Sequence, residues 1–311
     1  MTLWWKELKK KVKDYCQYLL FRFLRRTVLL LPQGRVFSFS RFLGNLLYRI
    51  GSFSYPVLET NLTLAFPEKS VQEKETLMRA SFVNMASFVV SLLRCPDSER
   101  ILSMVHEKDL SSLREAVADN RGVIIVSGHY GNWEIGLVWL SLRLCKMTAV
   151  SRRLDNPYME REISRFREQG GNKVLNKEPR VAVKIKRVLD AKGVVGLLMD
   201  QNQQRKEAVF VDFFGVPAAT SPSAAYFSVK TGAPVIPVFC TPEASGFSLE
   251  SLPPLEACDQ GDEKARVLDL TARICKALEE RVRKEPQWYF WFHKRWKTRP
   301  PGEESLYKRR G

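Results

Sequence analysis

Residues 122–134 read Gly122-Val123-Ile124-Ile125-Val126-Ser127-Gly128-His129-Tyr130-Gly131-Asn132-Trp133-Glu134. The stretch begins as a short apolar run rich in β-branched residues, which predicts a buried strand. Gly128 and Gly131 then indicate a turn, and Asn132 stands where the N-cap of the following amphipathic helix would lie. This order places His129 in the loop beyond the carboxyl end of a strand, the edge at which open α/β sheets bind their ligands.

The same turn brings a histidine and a carboxylate close together in sequence. On one continuous helix, His129 and Glu134 would point in different directions. With His129 in the loop and Glu134 in the first helical turn, the chain can fold the carboxylate back toward the imidazole. We expect Glu134 to bind one ring nitrogen and to leave the other free to accept a proton, as in a general base. The alternative is a structural histidine beside a solvated glutamate.

Alternating strand and helix patterns follow this motif. Strands are predicted at 147–151, 194–200, 235–239 and, antiparallel, at 247–251, and helices at 157–168, 179–192, 221–231 and 263–284. Upstream, Ser70 and Glu73 form a capping-box pattern that predicts a helix to about Leu93. Residues 98–118, with a structural His106, read as connecting structure, and residues 210–220 as a loop that walls an apolar tunnel or fills the core. The alternation predicts an α/β fold whose mostly parallel sheet is covered by helices on both faces.

Two of the predicted strands deliver charged residues to the edge that holds His129. Arg152 and Arg153 follow the strand at 147–151, where they could grip a phosphate or a developing oxyanion; the alternative is a basic surface loop. Asp200 closes the strand at 194–200 and would bring a carboxylate to the same edge, unless it serves as a turn residue or N-cap.

The first 31 residues combine aromatic and apolar side chains with cations. Arg22, Arg25 and Arg26 interrupt the apolar run, which argues against a signal peptide and against a spanning helix. An amphipathic helix in the plane of the lipid headgroups fits better, and a helix packed on the domain is the alternative. Residues 36–55 read as core, or as a second membrane-facing helix. We therefore predict a membrane-associating region at 1–60 and a catalytic domain at 61–311.

The composition points to an anionic partner. The 311 residues include 50 Lys and Arg against 34 Asp and Glu, a net charge of +16, which suits nucleic acid, anionic lipid or a phosphorylated substrate. The six cysteines form no C-x-x-C pair, so we expect reduced thiols and no metal site. Residues 286–300 interleave aromatics with cations, a pattern that suits a membrane interface, an anion site or stacking on single-stranded nucleic acid. His293 is expected to pack or to contact substrate.

Several separated blocks, taken in order, resemble one family, the bacterial late acyltransferases of lipid A biosynthesis (the lauroyl/myristoyl type). The blocks are Asn61-Leu62 with Phe66-Pro67-Glu68, residues 128–134, Ser151-Arg152 with Asp155-Asn156-Pro157, Met199-Asp200-Gln201, Val209-Phe210-Val211 with Phe214-Gly215, and residues 291–300. Together they span roughly residues 60 to 300.

The resemblance implies a glycerolipid-acyltransferase-like fold and transfer of a fatty acyl group from acyl carrier protein to a hydroxyl of a lipid A precursor. It implies His129 as the base, Glu134 as its orienting partner, and functional roles for Arg152 and Asp200, with no cofactor. We further expect Asn132, Arg153, His293, Lys294 and Arg295 to contact substrate. The expected location is the cytoplasmic face of the inner membrane, on an anionic lipid surface. The family commonly begins with an anchoring hydrophobic helix, and the arginine-broken N-terminus departs from that pattern.

Direct transfer in a ternary complex, without an acyl-enzyme, agrees with the residues themselves, because no Gly-x-Ser-x-Gly elbow is present and Cys145 and Cys240 lie away from the motif in sequence. The alternatives are an acyltransferase for another membrane glycolipid or phospholipid, a basic nucleic-acid-binding protein, and a metal hydrolase, the last disfavoured by only three histidines and no H-E-x-x-H. We expect no nucleic-acid partner. Acyl chain length, the acceptor hydroxyl and the oligomeric state are left open.

Overall fold

The computed structural model describes residues 2–94 and 97–307. The helices are α1 (Thr2–Leu29), α2 (Val36–Ile50), α3 (Tyr55–Ala65), α4 (Val71–Arg94), α5 (Ser98–Met104), α6 (Ser111–Ala118), α7 (Trp133–Arg143), α8 (Pro157–Arg167), α9 (Val181–Asp190), α10 (Ser223–Thr231) and α11 (Glu263–Lys284). The strands are β1 (Val105–Asp109), β2 (Val123–Ser127), β3 (Met147–Ser151), β4 (Lys173–Asn176), β5 (Val194–Leu198), β6 (Val209–Phe213), β7 (Val216–Thr220), β8 (Val235–Glu243) and β9 (Gly246–Ser251).

Seven strands form one sheet in the order β1-β9-β8-β2-β5-β3-β4. Every neighbouring pair is parallel except β8 and β9, which are antiparallel. The predicted α/β class, the mostly parallel sheet and the antiparallel strand near 247–251 are confirmed. Strand β2 lies at the centre of this sheet, so its carboxyl end opens onto the middle of one edge.

Helices cover both faces of the sheet because successive side chains of a strand point in opposite directions. Ile125 of β2 packs in the cluster that contains Val138 of α7. Ile124 and Val126 pack in the cluster that contains Leu270 of α11. A strand that is buried on both faces reads as a continuous apolar run, which is what residues 123–126 are.

The region expected to be connecting structure, residues 98–118, contains a strand. Helix α5 runs into β1, which pairs in parallel with β9, and α6 follows. His106 lies on β1, where its Nε2 is 3.3 Å from Glu243 at the surface. Four of the five residues of β1 are exposed, so this edge strand lacks the apolar pattern by which strands are recognised.

Residues 209–220, expected to be loop-like, form the two-stranded antiparallel hairpin β6–β7. The turn residues Phe214 and Gly215 both have positive φ, +59° and +75°, the geometry that favours Asn-Gly. Phe214 holds it because its ring is buried and Glu279 accepts a 2.7 Å hydrogen bond from its backbone N–H. Of the two roles predicted for this segment, core filling is the one that the buried Phe213 and Phe214 fulfil.

The N-terminal helices pack on α4. Helix α2 approaches so closely that a Cβ on Gly44 would lie 2.4 Å from the Cα of Val83. Helix α1 contacts the body along one stripe, in which Asp14 and Val28 are buried and the residues between them at helical spacing are partly buried. The predicted N-terminal helical region is therefore confirmed as a fold element. The division at residue 60, which falls within α3, stays a prediction.

Helix α4 is the one helix, among the described residues, long and apolar enough to cross a membrane by length and composition. Its Phe82, Ala86 and Val90 are buried in the protein, whereas Val89 is 43% exposed, so packing accounts for only part of its apolar character. No disulfide joins the five cysteines that the structure describes; Cys95 lies outside the described residues.

Candidate active site

His129 lies in the turn between β2 and α7, as predicted. Gly131 is required there: its φ is +58°, and a Cβ would lie 2.0 Å from the carbonyl oxygen of Cys240. Asn132 caps α7, because its Oδ1 accepts a 3.2 Å hydrogen bond from the backbone N–H of Ile135. The turn is thus fixed by close backbone contact with β8 on one side and by the helix N-cap on the other.

Asp200 is the carboxylate bonded to the imidazole. Its Oδ1 is 2.7 Å from His129 Nδ1, and its Oδ2 accepts a 2.8 Å hydrogen bond from the His129 backbone N–H. Strand β5 delivers Asp200 because it runs parallel beside β2, with Ser127 opposite Leu198. Asp200 is 3% exposed. A buried carboxylate that accepts two hydrogen bonds from one residue fixes both the position and the tautomer of that histidine.

The predicted bond from Glu134 to His129 is corrected by this geometry. Glu134 lies in the first turn of α7, as expected, but its Oε2 accepts a 2.8 Å hydrogen bond from Nε of Arg167, and its Oε1 binds Nη2 of the same residue. Arg167 is the last residue of α8. A buried carboxylate is stabilised by an ion pair with a neighbouring cation, and a bidentate guanidinium donates a hydrogen bond to each of its oxygens.

The surroundings of His129 and Asp200 shift the pKa values of both residues. Burial alone would lower the pKa of His129, but the charge and hydrogen bond of Asp200, helped by the charge of Glu134, outweigh it and hold this pKa above its ordinary value. Burial alone would raise the pKa of Asp200, but His129 and the charge of Arg295 hold it below its ordinary value. Asp200 therefore stays ionised while His129 titrates.

The second ring nitrogen of His129 faces outward. Gln201, an exposed residue, places its Nε2 3.2 Å from His129 Nε2. With Nδ1–H donated to Asp200, the Nε2 lone pair accepts from this amide. The ring of Trp133 packs against the imidazole with centroids 4.8 Å apart. The side chain of His129 keeps 18% exposure, so a substrate hydroxyl that displaces the Gln201 amide would reach Nε2.

An apolar cavity of about 100 Å³ lies between α7 and the sheet. Trp133, Glu134 and Arg167 border it at the end near His129, and Leu137 and Met147 are among its apolar walls. Apolar cavities in proteins hold hydrocarbon and exclude water. The arrangement therefore combines a histidine–carboxylate pair with a mostly apolar slot beside it.

Nearly the whole chain matches one family of known proteins. Residues 6–298 match the family model described as bacterial lipid A biosynthesis acyltransferase. The chain belongs to this family. A lipid A biosynthesis palmitoleoyltransferase of Escherichia coli (strain K12) is 29% identical over 289 residues, covering 86% of this chain and 87% of the relative. A lipid A biosynthesis lauroyltransferase of the same strain is 26% identical over 288 residues, covering 90% and 91%.

A phosphatidylinositol mannoside acyltransferase of Mycolicibacterium smegmatis (strain ATCC 700084 / mc(2)155) is also similar. It is 28% identical to this acyltransferase over 230 residues, covering 72% of each chain. The similarity therefore extends to an enzyme that is named for phosphatidylinositol mannoside and not for lipid A.

The two arginines expected at the site lie away from it. Strand β3, which they follow, is separated from β2 by β5. The side chain of Arg152 is 84% exposed, and its Nη2 is 3.7 Å from Asp155. Arg153 is exposed and borders a groove that Lys10 of α1 also lines. Both side chains are exposed to solvent, so the expectation that they point to His129 is corrected.

The carboxyl-terminal segment of this acyltransferase packs in the core. Trp291 and Trp296 are 1% and 0% exposed, so they offer no surface for base stacking, and the nucleic-acid interpretation loses its main feature. Arg295 is 1% exposed and donates to the backbone oxygen of Ala219 at 3.0 Å and to Oγ1 of Thr220 at 2.6 Å. Arg295 is therefore a structural residue, which corrects its expected contact with substrate. Its charge also helps to lower the pKa of Asp200.

The three other residues expected to contact substrate, His293, Lys294 and Asn132, lie in different surroundings. His293 accepts a 2.8 Å hydrogen bond at Nε2 from the backbone N–H of Asn202, and burial lowers the pKa of His293 to about 4. Lys294 is exposed, and its Nζ lies 5.5 Å above the ring of Tyr307. Asn132 keeps one group available: its buried Nδ2 has no hydrogen-bond partner within the described part of the chain.

Three residues near the site were not predicted from the sequence. Arg167 gave no signal beyond its place in an amphipathic helix, and Gln201 follows Asp200 directly but carried no role. Cys240 lies away from the motif in sequence, yet it borders the apolar cavity because β8 is the neighbour of β2. Which strands are neighbours in a parallel sheet depends on the topology of the sheet. The distance between two residues along the sequence does not reveal it.

Proposed function

We propose that this acyltransferase moves a fatty acyl group from an acyl carrier protein thioester to a hydroxyl of a lipid A precursor, with His129 as the general base. The observation that carries the proposal is the environment of His129. Its Nδ1 is bonded to the buried Asp200, its Nε2 points outward, and an apolar cavity lies alongside. Family membership supports lipid A chemistry.

The proposed step is a direct transfer. His129 Nε2 takes the proton of the acceptor hydroxyl as its oxygen attacks the thioester carbon, the C–S bond then breaks, and the imidazolium returns the proton to the departing thiolate. Asp200 stabilises the imidazolium that forms between these events. General-base assistance of this kind accounts for about 10²–10⁴-fold in rate.

Glu134 has a revised part in this proposal. It holds Arg167 at the border of the apolar cavity, and it acts on His129 through charge, not through a hydrogen bond. We propose that the pair positions the thioester end of the acyl chain. Asn132, whose buried amide is unpartnered among the described residues, lies beside the base and is proposed to contact the thioester oxygen. Arg152 and Arg153, from their exposed loop, are proposed to contact acidic carrier protein or acceptor phosphates.

No acyl-enzyme is proposed, although Cys240 borders the cavity. Cys240 is 3% exposed. The test for its involvement is Cys240→Ala, which we expect to transfer acyl groups at a rate close to that of the native enzyme. Covalent acyl-enzyme trapped in the native protein by mass spectrometry, and lost in Cys240→Ala, would contradict direct transfer.

Attachment to the cytoplasmic face of the inner membrane is proposed through residues 1–60. The side of α1 opposite its contact stripe exposes apolar residues, among them Leu19 at 47%, Leu20 at 58% and Phe23 at 66%. Lysines and arginines of the same helix flank that face. This pattern favours a helix that lies in the headgroup region of an anionic surface.

A second acceptor class is supported by one comparison. The similar mycobacterial enzyme is named for phosphatidylinositol mannoside, so another membrane glycolipid is the alternative acceptor. The deciding experiment incubates the purified enzyme with a panel of acyl carrier protein thioesters and either acceptor, and reads product mass. We expect a mass increase on a tetraacylated lipid A precursor that disappears with His129→Ala. Equal transfer by His129→Ala would overturn the mechanism, and transfer to the mannoside alone would overturn the acceptor.

A further inference from the structure

A second apolar space, of about 260 Å³, lies between α1, α4 and α8. Phe21 of α1, Val89 and Leu93 of α4, and Ile163 and Phe166 of α8 contribute to its walls. We call this space the helix cleft. It shares no lining residue with the cavity beside His129. The helix cleft is therefore separate from that cavity.

The mouth of the helix cleft is cationic. Arg25, Glu162 and Arg165 border it, and the same three residues border an adjoining recess of about 430 Å³ together with Arg22 and Arg26. Four arginines against one glutamate give this mouth a net charge of +3, four minus one. Glu162 is only 15% exposed and already pairs with Arg25 at 3.3 Å and with Arg165 at 3.8 Å, which leaves Arg22 and Arg26 without a share in this carboxylate. The surplus charge therefore faces the recess.

The walls of the helix cleft are held together by specific contacts between α1 and the body. Tyr18 of α1 stacks on Tyr158 of α8 with ring centroids 5.5 Å apart and planes at 22°. Asn156 donates a 2.9 Å hydrogen bond from Nδ2 to the backbone oxygen of Asp14. Packing and hydrogen bonding thus fix α1 beside α8, and the space between them is part of the folded protein.

We propose that the helix cleft binds one anionic phospholipid of the bilayer, with an acyl chain in the apolar part and the phosphate on the arginines. Guanidinium groups pair with phosphate oxygens in two-pronged fashion, and an apolar slot gains free energy by covering hydrocarbon. A nucleic acid or acidic protein would satisfy the arginines but leave the slot empty. The proposed ligand is a lipid other than the acyl acceptor, and the displacement arm of the experiment below separates the two.

The experiment uses the full-length protein and vesicles that contain no acyl acceptor. Protein is incubated with phosphatidylglycerol or phosphatidylcholine vesicles, released into detergent and weighed by native mass spectrometry. We expect one retained phosphatidylglycerol per chain and no retained phosphatidylcholine. Loss of charge-assisted hydrogen bonds should lower that occupancy by about tenfold or more in the triple variant R22Q/R25Q/R26Q.

Two further variants separate this site from general attraction of a basic helix to anionic lipid. K6Q/K9Q/K13Q removes the same three charges from exposed positions of α1 that do not border the helix cleft, and should retain the lipid. Ile163→Trp fills the apolar part with all arginines in place, and should lose it. Thermal unfolding of each variant checks that the protein is folded.

The outcomes decide between the lipid, its alternatives and the proposed transfer. Equal loss in both triple variants, retention by Ile163→Trp, or equal retention of phosphatidylcholine would overturn the proposal. Displacement of phosphatidylglycerol by the tetraacylated acceptor, with a raised KM for that acceptor in R22Q/R25Q/R26Q, would make the acceptor the occupant and overturn it too. His129→Ala should retain the lipid, so failure of the catalytic proposal and failure of this one are distinguishable.

Discussion

Asp200 decides how His129 behaves, because it supplies both the charge and the hydrogen bond that favour the imidazolium. The proposed general base works in its neutral form, so we expect transfer to rise as pH rises through the pKa of His129. We expect Asp200→Asn to lower that pKa and move the acid limb of kcat/KM to lower pH. The maximal rate should fall by roughly 10²–10⁴-fold, since the imidazolium loses its counter-ion.

The matched control for Asp200→Asn is Glu134→Gln. Glu134 affects the pKa of His129 in the same direction but through charge alone. The pH–rate profile of Glu134→Gln should therefore shift less than that of Asp200→Asn. A larger shift in Glu134→Gln would restore Glu134 as the partner of the imidazole.

Gln201 acts on the opposite ring nitrogen and should shift the pH profile in the opposite direction. Its amide donates to the neutral Nε2 of His129, which favours the neutral form. Gln201→Ala should therefore raise the pKa of His129 and move the acid limb of kcat/KM to higher pH. Gln203→Ala, a substitution of a nearby amide that binds Lys177, is the control. A downward shift in Gln201→Ala would contradict the assigned hydrogen bond.

At the residue scale, the sequence located the loop histidine but not its carboxylate partner. His129 could be placed from local signals alone: an apolar run, two glycines and a helix N-cap. The identity of its carboxylate partner depends on β5 lying beside β2, and on Arg167 arriving to neutralise Glu134. Both are long-range contacts. The spacing of His129 and Glu134 therefore pointed to the wrong bond, although it marked the right turn.

At the element scale, helices with a clear amphipathic or capping pattern were predicted correctly, and short strands without an apolar pattern were missed. Helix α11 has its predicted bounds, and Ser70 and Glu73 form the predicted capping box at the start of α4. Strands β1 and β4 were missed because each is short and carries few buried residues. The β6–β7 hairpin was missed because its turn depends on tertiary packing of Phe214, not on turn residues.

Strand β5 and helix α7 offer a test of the apolar cavity as the place of the acyl chain. A Cβ on Gly196 would lie 3.5 Å from Met147 Sδ and 3.8 Å from Leu137 Cδ1, ordinary contact distances. Gly196→Val should therefore fold and place its methyl groups in the cavity. We expect competition assays with mixed acyl donors to favour shorter chains, with Gly196→Ala intermediate. An unchanged chain-length preference in the valine variant would place the acyl chain elsewhere.

At the scale of the whole molecule, the net charge of +16 predicted an anionic partner without saying where it binds. The structure distributes the cations unevenly. Arg295 is buried inside the fold, Arg167 pairs with Glu134, and the arginines of α1 border the recess at the mouth of the helix cleft. A composition gives only the sum, because burial and pairing remove some charges from the surface and concentrate others.

Helix α1 uses two opposite faces, one packed on the body and one apolar and exposed, and this predicts how the molecule attaches to a membrane. Leu19→Glu with Phe23→Glu places two charges on the exposed face without touching the helix cleft. Vesicle co-sedimentation should fall sharply, because each glutamate opposes insertion and is repelled by anionic lipid. Transfer to a detergent-dispersed acceptor should stay near native, since neither residue borders the catalytic cavity.

The control carries the same charge change on a different part of the surface. Val183 of α9 and Leu268 of α11 are exposed to a similar degree, 49% and 44%, and their replacement by Glu should leave co-sedimentation unchanged. If both double variants detach equally, the added negative charge alone is responsible and the face of α1 has no special role. If neither detaches, attachment lies on another surface, and the exposed apolar residues of α2 are the next to test.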